Sequence, residues 1–420
     1  MDIFDRSVLG SMPVRAGGQA TTESLPALAR AGSMGMGEFI DQVARSGLSG
    51  KGGAGFPSVV KMERFAFQPG QRKCLVVNGS EHEPGSMKDR YLLESHARTV
   101  LEGALCLAAK LGASEVWFAV NENSEAAIRS IKHEVEAFNA EQLGAAYVLS
   151  DIALHVDRVP DHYIVGEETA LLEALEGRTA MPRKRPPFPI ESGLFGVPTL
   201  VHNVETVAHV PYIVLFGGDH HRTLGDAGKG MTLCTLGDEF VNAGVHLVPL
   251  GIPVRELLYG IGKGLRSGER IVAVQPGGPS SGFLTEQDFE CSFDHVALAA
   301  AGSALGCAAV RAYGEGTDMV RVMVEVASFF EEGSCGQCPQ CRMETRMLAA
   351  ILRQFAAGKG SEKLLQQIPK VIDANVSKGI CGLIKMPVAP VLTGLHKFEG
   401  EFRKLYGTNA ASQRDNKTSG

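Results

Sequence analysis

Residues 74–77 read Cys-Leu-Val-Val, residues 95–111 read Ser-His-Ala-Arg-Thr-Val-Leu-Glu-Gly-Ala-Leu-Cys-Leu-Ala-Ala-Lys-Leu, and residues 116–120 read Val-Trp-Phe-Ala-Val. The two short apolar runs predict buried strands. The segment between them places its apolar residues at helical spacing, which predicts a helix with one buried face. A strand, a helix and a second strand in this order predict a βαβ unit, in which the strands are parallel and the crossover is right-handed.

Polar and acidic residues follow both predicted strands. The first strand leads into residues 78–85, Asn-Gly-Ser-Glu-His-Glu-Pro-Gly, and the second leads into residues 121–123, Asn-Glu-Asn. Ligands of parallel sheets bind beyond the carboxyl ends of the strands. These two segments are therefore candidates for a binding site.

A glycine-rich stretch, Gly50-Lys-Gly-Gly-Ala-Gly-Phe-Pro57, precedes the βαβ unit. Its first, third and sixth residues match the dinucleotide-binding spacing G-x-G-x-x-G, but that turn requires a preceding strand and the sequence predicts a helix there. We expect instead a loop whose backbone N–H groups could cradle a phosphate, with Lys51 and Lys61 nearby to balance its charge. A flexible hinge is the alternative, although the Phe-Pro at the exit would stiffen the loop.

Four cysteines in the last quarter of the chain have the spacing of an iron–sulfur site. Cys335, Cys338 and Cys341 are separated by two residues each, and Cys381 follows after 39 more. Three thiolates in one loop with a remote fourth suit a [4Fe–4S] cluster, whereas structural zinc sites usually have two separated pairs. Disulfides are disfavoured by the odd total of 9 cysteines and the lack of a signal peptide, so a cytoplasmic location is expected.

Composition limits the possible partners. The formal net charge of −6 and the pI of about 6.1 disfavour binding to nucleic acid. The longest run of small apolar residues, 296–310, is too short to cross a bilayer and predicts a buried helix, so no direct membrane insertion is expected. With 420 residues, of which 44% are hydrophobic, the chain can form two or three domains.

The second half of the chain predicts two further domains. Short strands at residues 231–236, 245–248 and 271–275, with a helix at residues 253–260, predict a small α+β domain such as a β-grasp fold. From about Asp318, apolar residues recur at helical spacing. We therefore expect a helical bundle that carries the four cysteines in its loops.

The two ends of the chain lack a sustained pattern, which predicts an N-terminal arm and a disordered C-terminal tail. The predicted organisation is an arm at residues 1–35, an α/β domain at 36–228, the β-grasp-like domain at 229–317, the helical bundle at 318–408 and the tail at 409–420.

Seven motifs, taken in order along the chain, resemble one family. They are Gly50–Pro57, Asn78–Asp89, Tyr163–Leu171, Pro186–Pro189, Asn203–Thr206, Ser334–Arg342 and Cys381–Leu383. Their order resembles that of the flavin-bearing, NADH-oxidising subunit of respiratory complex I and of its relatives in bidirectional hydrogenases and soluble formate dehydrogenases. The resemblance covers the chain from about residue 35 to residue 406.

The resemblance implies FMN in the N-terminal α/β domain, NADH stacked on it, a β-grasp domain of the SLBB type and a [4Fe–4S] cluster in the helical bundle. A flavin is needed because NADH delivers two electrons at once, whereas a cluster accepts one. The residues implied to contact FMN are Gly50, Gly52, Gly53, Gly55, Lys61, Asn78, Glu81, Tyr163, Gly166, Glu167, Asn203 and Thr206. The residues implied to line the NADH slot are Phe56, Glu83, Glu168 and Phe188, with Glu83 and Glu168 as the candidate catalytic residues. The implied cluster ligands are Cys335, Cys338, Cys341 and Cys381.

Several of these residues have a simpler interpretation. Phe56 and Phe188 could be ordinary core aromatics. Glu167 and Glu168 could form a solvated helix start, although their position before an apolar run also suits caps on a helix that borders a ligand.

The chain departs from the family pattern at five positions. Ser80 stands where the family has aspartate, His202 replaces an asparagine, Arg64 replaces an aromatic residue, Arg185 replaces a lysine, and Gly333 replaces a glutamate. Two additional guanidinium groups could favour a phosphorylated ribose, so NADPH is possible beside NADH.

The predicted function is therefore an NADH dehydrogenase module, which passes electrons from NADH through FMN to the cluster. The expected partners are a thioredoxin-like [2Fe–2S] subunit and a larger iron–sulfur or terminal oxidoreductase subunit. One alternative is the diaphorase subunit of a hydrogenase, formate dehydrogenase or other reductase. Another is a non-catalytic scaffold that holds zinc or a cluster.

Overall fold

The computed structural model describes residues 2–9, 25–140 and 152–406. Its contacts divide the chain into two units: unit 1 comprises Met1–Thr235 and Gly244–Ile252, and unit 2 comprises Leu236–Ala243 and Pro253–Gly420. The predicted tail and part of the predicted N-terminal arm lie outside the described residues. The five-part domain division stays a prediction.

The helices and strands are numbered in chain order. The helices are α1 (Arg6–Leu9), α2 (Pro26–Ser33), α3 (Met36–Ser46), α4 (Ser58–Ala66), α5 (Lys88–Ser95), α6 (Ala97–Leu111), α7 (Glu125–Ala140), α8 (Glu168–Leu175), α9 (Val204–Phe216), α10 (Gly218–Thr223), α11 (His295–Ala300), α12 (Met319–Gly333), α13 (Pro339–Ala356), α14 (Glu362–Leu365), α15 (Gln367–Asn375), α16 (Val388–Lys397) and α17 (Glu399–Lys404). The strands are β1 (Cys74–Gly79), β2 (Glu115–Asn121), β3 (Ala153–Val159), β4 (Thr199–Asn203), β5 (Met231–Leu236), β6 (Gly244–Pro249), β7 (Ile271–Gln275), β8 (Leu284–Thr285) and β9 (Ala309–Gly314).

A parallel sheet forms the centre of unit 1. Its strand order is β3-β2-β1-β4, and β1 pairs in parallel with both β2 and β4. The predicted strands at residues 74–77 and 116–120 and the helix between them are confirmed, since they correspond to β1, β2 and α6. Helix α6 ends at Gly112, whose φ of 74° lies in the left-handed region that terminates helices.

The N-terminal residues pack into the core of unit 1, where the sequence predicted an arm. Ile3, Phe4 and Leu28 are each at most 2% exposed and belong to the main apolar cluster. The buried carboxylate of Glu102 accepts hydrogen bonds from the backbone N of Ala27 and of Leu28, at 2.6 and 3.1 Å, so it stabilises the start of α2. The sequence pattern missed α2 because eight residues are too few to show a sustained period.

In unit 2, strand β7 pairs antiparallel with β8 and β9. The expectation of a single helix over residues 296–310 is wrong, because only α11 is helical and strand β9 begins at Ala309. Gly302 and Gly306 have φ values of 75° and 52°, so the chain turns at both positions. The predicted helix at residues 253–260 is a π-helical turn, Glu256–Ile261.

The C-terminal part of the described chain is helical, as predicted. Apolar side chains of α12 and α13, among them Val320, Met323, Leu348 and Leu352, share one buried cluster with residues of α15 and α16. The helical stretch at its end divides into α16 and α17 at Phe398. Among the residues that the structure describes, no helix is long and apolar enough to cross a membrane.

Helices α6 and α9 approach each other so closely at Gly103 that the fold requires a glycine there. A Cβ at Gly103 would lie 2.2 Å from the carbonyl oxygen of Val207, whereas a Cβ at Gly37 in α3 would meet nothing within 4 Å. We expect Gly103→Ala to lower the free energy of unfolding by about 1 to 3 kcal/mol through overpacking. The control Gly37→Ala should raise it by about 0.5 to 1 kcal/mol, because alanine favours helix. Urea denaturation of both variants is the test, and equal effects would contradict the packing.

Candidate functional site

The carboxyl edge of the parallel sheet brings three predicted segments together. Asn78, near the end of β1, pairs in register with Asn203 at the end of β4. The Asn78 Nδ2 donates a hydrogen bond to the carbonyl oxygen of Gly166 at 3.3 Å. The Asn78 Oδ1 accepts from the backbone N and the Oγ of Ser80, at 3.1 and 2.6 Å. Asn78 therefore joins the turn that carries Gly166 to the end of the sheet.

The glycine-rich loop closes on itself. The backbone N of Gly50 donates to the carbonyl oxygen of Phe56 at 2.8 Å, and the N of Ser58 donates to that of Leu48 at 3.0 Å. Gly53 and Gly55 have φ values of 110° and 62°, which favour glycine strongly over other residues. Helix α3 precedes the loop, as predicted. The flexible-hinge alternative therefore fits poorly.

The same loop is tied to the start of α9. The backbone N of Lys51 donates to Thr206 Oγ1 at 2.9 Å, and a Cβ at Gly52 would lie 3.4 Å from the Cβ of Asn203. The side chain of Lys51 is buried and its Nζ donates to the carbonyl oxygen of Met231 at 3.0 Å. Burial lowers the pKa of Lys51 to about 8, with Glu205 opposing the shift.

Glu81 stabilises the loop that follows β1. Its φ is 40°, and its carboxylate accepts from Ser86 Oγ at 2.7 Å and from the backbone N of Asp89 and of Arg90 at 2.9 and 2.8 Å. The last two bonds satisfy backbone donors in the first turn of α5. This carboxylate is thus largely used within the protein.

Glu167 and Glu168 lie at the start of α8 and pair with two cations. Glu167 caps the helix, since its Oε2 accepts from the backbone N of Thr169 and of Ala170. Lys61 Nζ lies 2.6 Å from Glu168 Oε2. Arg185 forms ion pairs with Glu167 and, at 3.2 Å, with Glu168 Oε1. The predicted helix cap is confirmed, and Arg185 already has two carboxylate partners.

The aromatic candidates are exposed. Phe56 and Phe188 are each 46% exposed, so the interpretation as core aromatics is wrong. The hydroxyl of Tyr163 donates to Glu83 Oε2 at 2.9 Å, which joins two more of the predicted site residues. Exposed rings beside glycine and proline turns are suited to stacking on a planar ligand.

His202 lies on β4 next to Asn203 and is buried. Its Nε2 has no hydrogen-bond partner among the described residues. Burial, together with Lys61, lowers the pKa of His202 to about 3, so the ring is neutral at physiological pH. A buried nitrogen without a partner is costly in a folded protein and is compatible with a ligand that would satisfy it.

Sequence reasoning missed three buried charged residues beneath the glycine-rich loop. Lys88, Asp89 and Glu205 are at most 3% exposed, and Lys88 contacts both carboxylates directly. The first two end the segment 78–89, and Glu205 lies inside the segment 203–206. Buried charges usually have structural or functional partners, but nothing in a single sequence indicates that these side chains are buried.

In unit 2, the cysteines lie where two segments meet. Cys338 precedes the first turn of α13, and its Sγ accepts a hydrogen bond from the backbone N of Ile380 at 3.3 Å, which brings the segment before Cys381 to the cysteine triplet. Cys341 Sγ lies 3.6 Å from Ser334 Oγ. No disulfide links any of these four described cysteines.

Without bound metal, the surroundings of Cys341 favour the neutral thiol. Burial, followed by the neighbouring thiols Cys338 and Cys335, raises the pKa of Cys341, although Ser334 opposes the shift. Bound iron would supply the positive charge that favours thiolates. Within the described ranges, no three His, Cys, Asp or Glu side chains are placed to hold a single metal ion.

Comparisons with known proteins agree with both sites. The family model of the Nuo51 FMN-binding domain matches residues 43–212, which include the glycine-rich loop and the edge of the sheet. The family model of the NADH-ubiquinone oxidoreductase-F iron–sulfur binding region matches residues 321–405, which include the four cysteines. The chain is thus an oxidoreductase subunit with an FMN-binding domain and a [4Fe–4S] binding region. It belongs to the family of the NADH-quinone oxidoreductase-F subunits, as the sequence resemblance predicted.

Individual relatives support this membership. The NADH-quinone oxidoreductase-F subunit of Streptomyces coelicolor is 36% identical over 91% of this chain and 86% of its own length. The NADP-reducing hydrogenase subunit HndC of Solidesulfovibrio fructosivorans is 32% identical over 89% of this chain and 77% of its own. A crystal structure of an NAD+-reducing [NiFe]-hydrogenase matches with a TM-score of 0.84 and 25% identity, over 96% of this chain and 66% of that chain.

The buried neutral His202 predicts a pH dependence of stability. Below the unfolded-state pKa of about 6.5, the unfolded chain binds a proton that the native ring does not, so stability decreases as the pH falls from about 6.5 to the native pKa of about 3. In this pH window, we expect His202→Asn to reduce the slope of the free energy of unfolding against pH by about 1.4 kcal/mol per pH unit. Urea denaturation at several pH values measures the slope. The exposed control His133→Asn should keep the wild-type slope, and an unchanged slope in His202→Asn would contradict the burial.

Proposed function

We propose that the chain is the electron-input module of a larger oxidoreductase: it oxidises NADH at FMN in unit 1 and delivers electrons to the [4Fe–4S] cluster in unit 2. The observation that carries the proposal is that four segments of the predicted site lie together at one edge of the sheet. Segment 50–57 is hydrogen-bonded to segment 203–206, and segment 78–83 is hydrogen-bonded to segment 163–168. The comparisons support it through family membership.

The residues proposed to hold FMN are those of the glycine-rich loop and the sheet edge that the sequence resemblance implied. Backbone N–H groups in a glycine-rich turn can bind a phosphate closely because no side chain intervenes. Thr206 and Asn203 support the loop from below. Bound FMN would supply the conversion between two-electron and one-electron transfer.

The residues proposed to bind the nucleotide are Phe56, Phe188, Glu83 and Glu168. The exposed rings of Phe56 and Phe188 offer flat apolar surfaces for stacking. Glu168 is held by Lys61 and Arg185, so its carboxylate keeps a fixed position and can accept hydrogen bonds from the substrate. Glu83 is oriented by the hydroxyl of Tyr163.

The nucleotide preference and the partners are part of the proposal. Because Arg185 is already paired with two carboxylates, we expect it to contribute less to binding a 2′-phosphate than an unpaired guanidinium would, which favours NADH over NADPH. We propose a β-grasp domain of the SLBB type at residues 229–317. The proposed partners are a thioredoxin-like [2Fe–2S] subunit and a larger iron–sulfur or terminal oxidoreductase subunit, and the proposed location is cytoplasmic.

A diaphorase role in a hydrogenase is the second candidate. The similarity to HndC and to the NAD+-reducing hydrogenase favours it, and both roles use the same FMN and cluster chemistry. A third candidate is a scaffold without catalysis. The exposed aromatic rings and the positioned carboxylates argue against this candidate.

Cofactor content tests the cluster. Anaerobically purified protein should contain one FMN and about four iron and four sulfide per chain. Cys381→Ser should lower the iron and sulfide content while FMN stays bound, because the two sites lie in different units. The control Cys291→Ser, a half-buried cysteine outside the motif, should keep the wild-type content. One tightly bound zinc without sulfide would contradict the cluster.

Flavin bleaching tests the nucleotide site. NADH added anaerobically should bleach the flavin absorbance of the wild-type protein, and NADPH should do so less efficiently. Glu168→Gln should lower the rate by roughly tenfold or more without loss of FMN, since a positioned hydrogen bond to a charged group is worth about 1.5 to 3 kcal/mol. The exposed carboxylate variant Glu63→Gln on α4 should behave as wild type. No bleaching with either nucleotide would favour the scaffold.

A further inference from the structure

Four charged side chains are buried together beneath the glycine-rich loop. Lys51, Lys88, Asp89 and Glu205 are 5%, 1%, 3% and 0% exposed, respectively. We refer to these four residues as the buried charge cluster. They come from the glycine-rich loop, from the first turn of α5 and from the first turn of α9.

Lys88 is the centre of the buried charge cluster. Its Nζ lies 2.7 Å from Asp89 Oδ1, 3.1 Å from Asn203 Oδ1 and 3.1 Å from Glu205 Oε2. The first two contacts are hydrogen bonds that Lys88 donates, whereas the contact with Glu205 is an ion pair, since Glu205 Oε2 has no hydrogen-bond partner among the described residues. Burial opposes the charged form, but Asp89 and Glu205 outweigh it and raise the pKa of Lys88.

Glu205 is a fully buried counter-ion of Lys88. Its Oε1 accepts from Thr232 Oγ1 at 2.9 Å and from the backbone N of Leu233 at 2.8 Å. Burial alone would raise the pKa of Glu205, but Lys88, His209 and Lys51 hold it well below its usual value. Lys88 and Glu205 therefore form a charged pair.

The side-chain amide of Asn203 is hydrogen-bonded within the same cluster. Asn203 Oδ1 accepts from Lys88 Nζ and, at 2.9 Å, from the backbone N of Glu205. Asn203 Nδ2 donates to Asp89 Oδ2 at 2.5 Å and to the carbonyl oxygen of Asn78 at 3.4 Å. Both ends of the amide are thus occupied, and the Cβ of Asn203 packs under Gly52. Asn203 is therefore suited to supporting the loop rather than to donating a hydrogen bond to a ligand.

Stability alone explains this arrangement poorly. Removing two charges from water costs several kcal/mol for each ion, and replacing a buried ion pair with apolar residues is often neutral or stabilising. Lys88 contacts Asn203, which packs against Gly52 of the loop, so the charged pair has a second effect: it places fixed charges near any ligand bound there. Fixed charges near a flavin alter its reduction potential.

We propose that Lys88 and Glu205 are positioning residues for the flavin: Lys88 fixes Asn203 beneath the glycine-rich loop, and the opposite charges of the two side chains adjust the reduction potential of the bound flavin in opposite directions. The proposal rests on the proposed FMN site. Reduction adds negative charge to a flavin, so a nearby cation favours the reduced form and a nearby anion favours the oxidised form.

A charge cycle separates this electrostatic effect from a structural one. Lys88→Met removes a positive charge, Glu205→Gln removes a negative charge, and the double variant removes both. The midpoint potential of the bound flavin is measured by spectroelectrochemistry. We expect it to become more negative in Lys88→Met, to become less negative in Glu205→Gln and to lie near the wild-type value in the double variant.

The potentials of the variants can refute the electrostatic role in two ways. Shifts of both single variants in the same direction, or no shift in either, would overturn the proposal. If Lys88→Met does not fold because it leaves buried carboxylates unpaired, the comparison of Glu205→Gln with the double variant decides: both should bind FMN, and Glu205→Gln should have the less negative potential. Failure of the wild-type protein to bind FMN would instead refute the proposed function.

The affinity for FMN is the second readout. Because Asn203 loses its hydrogen bond from Lys88, FMN should bind at least about tenfold more weakly to Lys88→Met than to the wild-type protein, which corresponds to about 1.4 kcal/mol. Titration of the apoprotein with FMN, followed by flavin fluorescence, gives the dissociation constant. Lys88→Arg keeps the positive charge, so its flavin potential should lie close to the wild-type value. Its affinity for FMN should recover less fully, since the planar guanidinium group fits the three partners of Lys88 less well than an ammonium group does. Wild-type affinity in Lys88→Met would refute the support of Asn203.

Discussion

The parallel pairing of β1 with both β2 and β4 is the constraint on which the candidate site depends. It places Asn78 level with Asn203 at the same edge of the sheet. Helix α9 starts directly after Asn203, so Glu205 and Thr206 necessarily lie within one turn of this edge. A shift of one residue in the register of β4 would turn Asn203 to the opposite face of the sheet and move the start of α9 with it. The glycine-rich loop, which bonds to Thr206, would then lose its support.

Two groups of opposite charges surround this edge, and they differ in burial. Lys61 and Arg185 pair with Glu167 and Glu168 at side chains that are between 16% and 32% exposed, so a ligand can reach these pairs. The pair centred on Lys88 is fully enclosed and cannot rearrange without cost. The accessible group is therefore suited to contacting substrate, and the buried group to holding the binding loop in place.

The βαβ unit, the parallel sheet and the family could be predicted from the sequence because these depend on local apolar patterns and on motifs with strict residue requirements. The prediction failed at residues 296–310, where composition indicated one helix but glycines impose turns. It also missed the docking of the N-terminal segment, which depends on Glu102, a residue 75 positions away from Ala27. The role of Lys88 was equally hidden, since Asn203 and Glu205 come together with it only in the folded chain.

Binding of FMN at the carboxyl edge of the parallel sheet in unit 1 is the property from which the proposed chemistry follows. Hydrogen–deuterium exchange of the apoprotein with and without FMN tests it most directly, because exchange reports on each backbone segment separately. We predict slower exchange on FMN binding in peptides that cover residues 50–57, 78–89, 163–168 and 203–206, with little change in unit 2. Bound FMN without protection of these segments, or with protection confined to other parts of the chain, would contradict this assignment of the site.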